Sequence, residues 1–214
     1  DSRVSRGLGD VYKRQVRSKG GFTSISENAT TGAITTLSSI SSTGVSSFDA
    51  NTLATEAGTG ITGGTGTIYR SAVQRMGGII TTRILIDLTG LRSTASGDII
   101  GVNGTSNVCH IGQITAARNG TILTGSMECF EAPAGGDPDI NVHSATESTG
   151  VEDGAISSLT ETLLVNAGDA TLGSKVYFSA VPAADEFLYL TLGDTTDADY
   201  TAGKLFIELM GYEA

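Results

Sequence analysis

The chain has 214 residues, with 23 Asp and Glu against 13 Lys and Arg, a formal charge of −10, 29 Gly, 3 Pro, 2 Cys and no Trp. The excess acid falls in the C-terminal half, which is expected to repel nucleic acid and anionic membrane, because phosphate contacts need Lys and Arg. No stretch approaches the roughly 18 uninterrupted apolar residues of a membrane-spanning helix, and a chain of this size needs neither metal nor disulfide to build a core.

Residues 5–15, SRGLGDVYKRQ, look like the in-frame translation of a transposase-type sequencing adapter. Residues 1–15 are therefore set aside from fold reasoning. They carry four basic and two acidic side chains, so the remaining body is more acidic than the whole. The natural N-terminus is expected to lie upstream of an assembled contig's end.

Residues 16–65 are rich in Ser, Thr, Gly and Ala. Apolar residues recur singly (Phe22, Ile25, Ile34, Leu37, Leu53) without a helical period. The run 58–66, with Gly at five of nine positions, is expected to be a connector unable to present a core face. The whole stretch reads as a flexible or extended arm, suited to adding a strand to a neighbouring subunit.

The ordered domain is expected to span 66–214. Residues 67–76 predict a strand, Gly77-Gly78 a turn, and 79–88 the clearest strand of the chain. There Ile80, Ile84, Ile86 and Leu88 fall on one face, with Thr81, Arg83 and Asp87 on the other. Residues 98–102 predict a short strand. Residues 108–117 and 121–131 predict a hairpin about Asn119-Gly120, a strong turn signal. A two-residue turn there groups Ile114, Ala116, Leu123, Met127 and Cys129 on one apolar face and keeps Cys109 from facing Cys129. A three-residue turn would place the two cysteines opposite each other. The preferred reading is two free, buried thiols, which suits assembly in a reducing cytoplasm.

Residues 132–139 read as a loop and 140–146 as a strand. Residues 156–165 carry both periods and are assigned to a strand. Residues 175–181, 186–192 and 204–210 close the chain as three strands. Tyr177, Phe187, Tyr189 and Phe206 supply much of the aromatic mass, at positions that read as buried. Nine or ten short strands with Gly turns predict an all-β antiparallel sandwich, jelly-roll-like, carrying the N-terminal arm.

Few residues are candidates for chemistry. His110 and His143 lack zinc-site spacing. Cys109 and His110 are strand neighbours whose side chains diverge, which disfavours a nucleophile pair. No nucleophile elbow or phosphate loop is present, so no enzymatic activity and no organic cofactor are expected. The C-terminal acidity remains. Residues 126–214 hold sixteen acidic and two basic side chains. Asp194, Asp197 and Asp199 sit in one loop, and several oxygens on a loop can ligate calcium. The spacing is not that of an EF-hand, and a solvated acidic turn is the competing reading. A carbohydrate-binding module, calcium-dependent or not, is the alternative function, weakened by the absence of Trp and the scarcity of aromatics that read as exposed.

Three stretches, 77–91 (GGIITTRILIDLTGL), 111–122 (IGQITAARNGTI) and 200–212 (YTAGKLFIELMGY), resemble virion structural proteins of uncultured marine tailed bacteriophages. The resemblance implies a structural role on the particle, as capsid decoration, minor capsid component or fibre-associated protein. It implies other virion proteins as partners, a homo-oligomer such as a trimer, and assembly in the host cytoplasm. It brings no catalytic residue with it.

Overall fold

The computed structural model describes residues 52–213 together with 25–27 and 34–37. Residues 1–15 and most of the expected arm lie outside the described residues. The chain divides into two units, 1–47 and 48–214. In the first, β1 (Ile25–Glu27) pairs antiparallel with β2 (Ile34–Leu37).

The second unit begins with one helical turn, α1 (Thr59–Thr62), and continues as β3 (Tyr69–Met76) and β4 (Ile79–Asp87). Gly77-Gly78 joins the two strands with Met76 opposite Ile79, and Gly77 takes φ 62°. That is the left-handed conformation a tight hairpin turn demands and glycine supplies without a Cβ penalty. Alternation in β4 works as its sequence predicts: Ile80, Ile84 and Ile86 are buried, while Arg83 is exposed.

The order then runs β5 (Arg92–Ser93), a helical turn α2 (Ala116–Asn119), β6 (Thr121–Ala134) and β7 (Ile140–Ala145). It ends with β8 (Glu161–Val165), β9 (Lys175–Tyr177), β10 (Phe187–Leu192), β11 (Ala198–Asp199) and β12 (Ala202–Tyr212). One sheet has the order β3-β4-β12-β6-β9, a second β10-β7-β8, and β5 pairs with β11. Every pairing between strands is antiparallel. The all-β sandwich expected from the strand pattern is the fold.

The core lies between the sheets. Leu205, Ile207 and Leu209 of β12 are fully buried, as are Ile84 of β4, Val142 of β7 and Leu190 of β10. Each such side chain contributes about 1.5–3 kcal/mol on burial. The three-stranded sheet is widened on its β10 side by irregular backbone. The N–H groups of Ile111 and Ile100 donate to the Leu188 and Leu190 carbonyls, at 2.7 and 2.9 Å. The expected strand at 98–102 is thus a set of isolated bridges, Asp98 to Ala155, Ile99 to Thr191 and Gly101 to Arg92.

Four expectations are corrected. First, the run 58–66 is anchored to the core at Gly58, Gly60 and Ile61, while Thr59, Thr62, Gly63, Thr65 and Gly66 stay exposed. Ile61 is fully buried, Leu53 nearly so, and Gly58 and Gly60 donate to the His110 and Val108 carbonyls, both at 2.9 Å. Glycine is used there because the backbones approach too closely for a side chain. Second, 108–117 and 121–131 form no hairpin. Segment 108–114 runs beside β10, with Gln113 opposite Phe187, whereas β6 pairs with β12 and β9. Asn119-Gly120 ends a helical turn instead, with Gly120 at φ 68°. Third, Leu123 is exposed. The register shifts between Met210 and Gly211, whose partners are Thr124 and Ile122, and the intervening bulge turns Ile122 inward. Fourth, Tyr177 is 69% exposed, because β9 is a three-residue strand at the sheet's edge. Residues 156–165 divide: Ile156–Ser158 is a 3₁₀ turn and only 161–165 is strand.

Candidate functional site

The outer face of the five-stranded sheet collects the side chains that strand alternation points away from the core. Its rows follow from the register. One row carries Arg70, Leu85, Phe206, Glu128 and Lys175, the next Ala72, Arg83, Glu208, Ser126 and Tyr177. Further along lie Gln74, Thr81, Met210 and Thr124, then Met76, Ile79, Tyr212 and Thr121. Phe130 stacks on Phe206, ring centroids 5.1 Å apart and planes within 10°.

Of the eleven large hydrophobic side chains exposed among the described residues, seven lie on this sheet: Met76, Ile79, Leu123, Phe130, Tyr177, Met210 and Tyr212. Scattered singly, such residues need no explanation, but gathered on one face they mark an interaction surface. Most of the charges on the same face are paired within it, while Arg70 donates to the Tyr69 carbonyl. Arg83 pairs with Glu208 at 2.8 Å, Lys175 with Glu128 at 3.5 Å, and Lys204 with Asp87 at 3.4 Å and with Glu131. The first three pairs are directly opposite residues in the register. Exposed pairs of this kind add little stability, but together with Arg70 they bring the face close to neutral.

The three carboxylates that the sequence suggested for calcium are not one cluster. Asp197 and Asp199 both pair with Arg92, Asp199 at 3.6 Å. The guanidinium of Arg92 on β5, which the β5–β11 pairing brings beside them, offsets one of their two charges. Asp194 lies near Asp139 instead. Among the described residues no group of three or more His, Cys, Asp or Glu is arranged to hold a metal ion.

Asp139 stands in a different acidic neighbourhood. Burial, then the Asp137, Asp169 and Asp194 carboxylates, raise its pKa above the usual value of 3.8. Its Oδ1 is buried without a hydrogen-bond partner among the described residues. A carboxyl whose pKa is raised on folding binds its proton more tightly in the folded state. It therefore weakens folding at neutral pH and ceases to do so as pH falls below its folded pKa. Asp139→Asn is expected to stabilise the protein at pH 7, by on the order of 0.5 kcal/mol because the group is partly solvated. The gain should shrink towards pH 3. Urea unfolding at the two pH values checks this; a pH-independent difference would show that charge is not the cause.

The cysteines and histidines form no reactive pair. Cys109 Sγ donates to the Asn107 carbonyl at 3.3 Å, while His110 packs 5.0 Å from the Phe187 ring. Burial pushes the Cys109 thiol up to about 12 and lowers the His110 pKa. Burial also raises the pKa of Cys129. Both thiols are free and buried. Neither is expected to react with Ellman's reagent in native protein, whereas two equivalents should react in 6 M guanidinium; fast native labelling would contradict the burial. His143 is held by Glu161 at 2.7 Å and faces no nucleophile in its hydrogen bonding.

Sequence reasoning missed the outer face because it placed Tyr177 inside and Leu123 in the core. The available signal was the alternation of Phe206, Glu208, Met210 and Tyr212 along β12, which puts apolar residues on both faces of one strand. Comparison with family models found no match to the chain, and neither did comparison with curated proteins or with solved structures.

Proposed function

We propose that the protein is a structural component of a tailed-bacteriophage particle, as capsid decoration, minor capsid component or fibre-associated protein, and that it works by docking to other virion proteins. The observation that carries the reading is the outer face of the five-stranded sheet, which gathers seven exposed large hydrophobic side chains and whose carboxylates are paired with Arg83, Lys175 and Lys204. Exposed apolar residues gathered on one sheet suit assembly. Two supports stand beside it. Three sequence stretches resemble virion proteins, and two of them, 77–91 and 200–212, include the β4 and β12 strands that build this face. Two free buried thiols suit a protein assembled in a reducing cytoplasm. The test is proteomics of density-purified marine virus particles. Peptides from residues 69–212 should be enriched in the particle fraction, in step with known capsid proteins. Recovery only in the cellular fraction would overturn the reading.

A second reading has its own observation. Tyr177, Tyr212 and Phe130 are exposed on one sheet, and exposed rings on a flat sheet are platforms on which sugars stack. A glycan array probed with the protein decides it, with binding lost on Tyr177→Ala and Tyr212→Ala in favour. Running the array with calcium and then with chelator tests whether that binding is calcium-dependent.

A further inference from the structure

We propose that the outer face of the five-stranded sheet binds a second copy of this chain, sheet against sheet about a two-fold axis. The inference rests on the assembly reading above in taking this face as an interaction surface, and it names the occupant.

Charge placement selects that occupant. The five strands carry Arg70, Arg75, Arg83, Lys175 and Lys204 against Asp87, Glu128, Glu131 and Glu208, so the sheet is close to neutral. Elsewhere in residues 52–213 only Arg92 and Arg118 oppose fifteen acidic side chains. Residues 52–213 thus form a strongly acidic body in which this sheet is close to neutral. A basic partner would be drawn to the acidic body rather than to this face, where the carboxylates Glu208, Glu128, Asp87 and Glu131 already have Arg83, Lys175 and Lys204 as partners. The surface that fits here is itself neutral, apolar and largely free of unpaired charge. The chain supplies such a surface in its own second copy.

Repulsion fixes the orientation. Two acidic bodies repel at any approach within about 10 Å at 0.1 M salt. Face-to-face docking of the two sheets turns the acidic surfaces outward and leaves the neutral ones in contact. The dimensions suffice. Four strands of eight to fourteen residues, about 4.8 Å apart and rising about 3.4 Å per residue, give a face of roughly 20 by 27 Å. That is about 540 Å² before side-chain relief, of the order of the about 800 Å² per partner that a stable complex buries. One patch meeting its own copy closes as a two-fold dimer and leaves both sheet edges unused.

The test is light scattering on size-exclusion fractions of the full chain, from 5 to 200 µM and from 0.05 to 1 M NaCl. The wild type is expected at twice the monomer mass, with dissociation weakened at high salt as repulsion between the bodies is screened. Met76→Glu/Met210→Glu places two carboxylates on the face at exposed positions, and should shift the dissociation constant at least 100-fold with unchanged circular dichroism. Leu172→Glu, exposed but off this sheet, should leave the dimer intact. If the first double variant fails to fold, Phe130→Asp/Tyr177→Asp serves in its place. A wild type that is monomeric throughout overturns the proposal. So does a dimer indifferent to both double variants, a dimer that dissociates as salt rises, or a stable trimer. A monomer whose peptides are nonetheless found in virus particles would sink this proposal and leave the virion reading standing; a dimer absent from particles would do the reverse.

Discussion

Gly60→Ala is expected to lower Tm by about 10 °C, a loss of about 3 kcal/mol in a domain of this size. A Cβ at position 60 would meet Cys109 Sγ at 2.3 Å, the Asn107 carbonyl oxygen at 2.6 Å and that of Val108 at 2.8 Å. Two of these three atoms are backbone. The Val108 oxygen also accepts the Gly60 N–H at 2.9 Å, so it cannot retreat without breaking the bond that holds the two segments together. The third atom belongs to a fully buried side chain. Overpacking against fixed atoms typically costs 1–3 kcal/mol and more where nothing relaxes, hence the upper end here. Gly78→Ala is the control. Its Cβ would lie 3.5 Å from the Tyr212 ring, an ordinary contact, and the change should stay within about 0.5 kcal/mol.

The same packing predicts the effect of truncation. A chain starting at residue 67 loses Leu53 and Ile61 from the core, and the bonds from Gly58, Gly60 and Val102 that join residues 58–60 to the domain. It is expected not to fold, whereas a chain starting at residue 48 should. Urea unfolding followed by circular dichroism reads both sets. A Gly60→Ala protein as stable as the wild type, or a folded chain from residue 67, would restore the connector reading of 58–66.

Asn119→Ala is expected to cost about 2–3 kcal/mol. Asn119 is fully buried. Its Oδ1 accepts the Thr115 N–H at 2.9 Å, and its Nδ2 donates to Thr82 Oγ1 at 2.7 Å. The first bond closes the α2 turn and the second ties that turn to β4. Truncation leaves a buried N–H and a buried hydroxyl without partners, and each carries a desolvation penalty of about 1–3 kcal/mol. A double-mutant cycle identifies the cause. Thr82→Val removes the orphaned hydroxyl, so Thr82→Val/Asn119→Ala should lose less than the two single variants summed, by about 1 kcal/mol. Additive losses would mean that the Asn119–Thr82 bond carries no energy. Asn119→Asp should be worse than Ala at pH 7 and recover as pH falls, because the penalty belongs to a buried carboxylate.

Legibility in the sequence followed the range of the interactions. β4 could be read outright, because Ile80, Ile84 and Ile86 alternate with polar residues and Gly77-Gly78 stops the preceding strand. Period two and glycine turns are local properties, and the all-β class follows from them. The strands at 140–145, 187–192 and 202–212 were found for the same reason.

Partners and surfaces were not local. Asn-Gly at 119–120 signals a reversal in either a hairpin or a helical turn, and only the pairing of β6 with β12, more than seventy residues on, decides between them. The run 58–66 looks incapable of packing until Val108 and Cys109 are laid against it. Glycine then becomes the residue that close backbone approach requires. Asp194, Asp197 and Asp199 read as an acidic turn or a calcium loop, and that Arg92 of β5 stands beside Asp197 and Asp199 is visible only in the fold. The sequence by itself determined the strand character of the chain and its acidity, since each depends on residue type and short spacing. Which side of each strand faces solvent, which charges are already paired, and that the exposed apolar residues share one sheet were decided by tertiary structure, because each depends on which distant strand lies alongside.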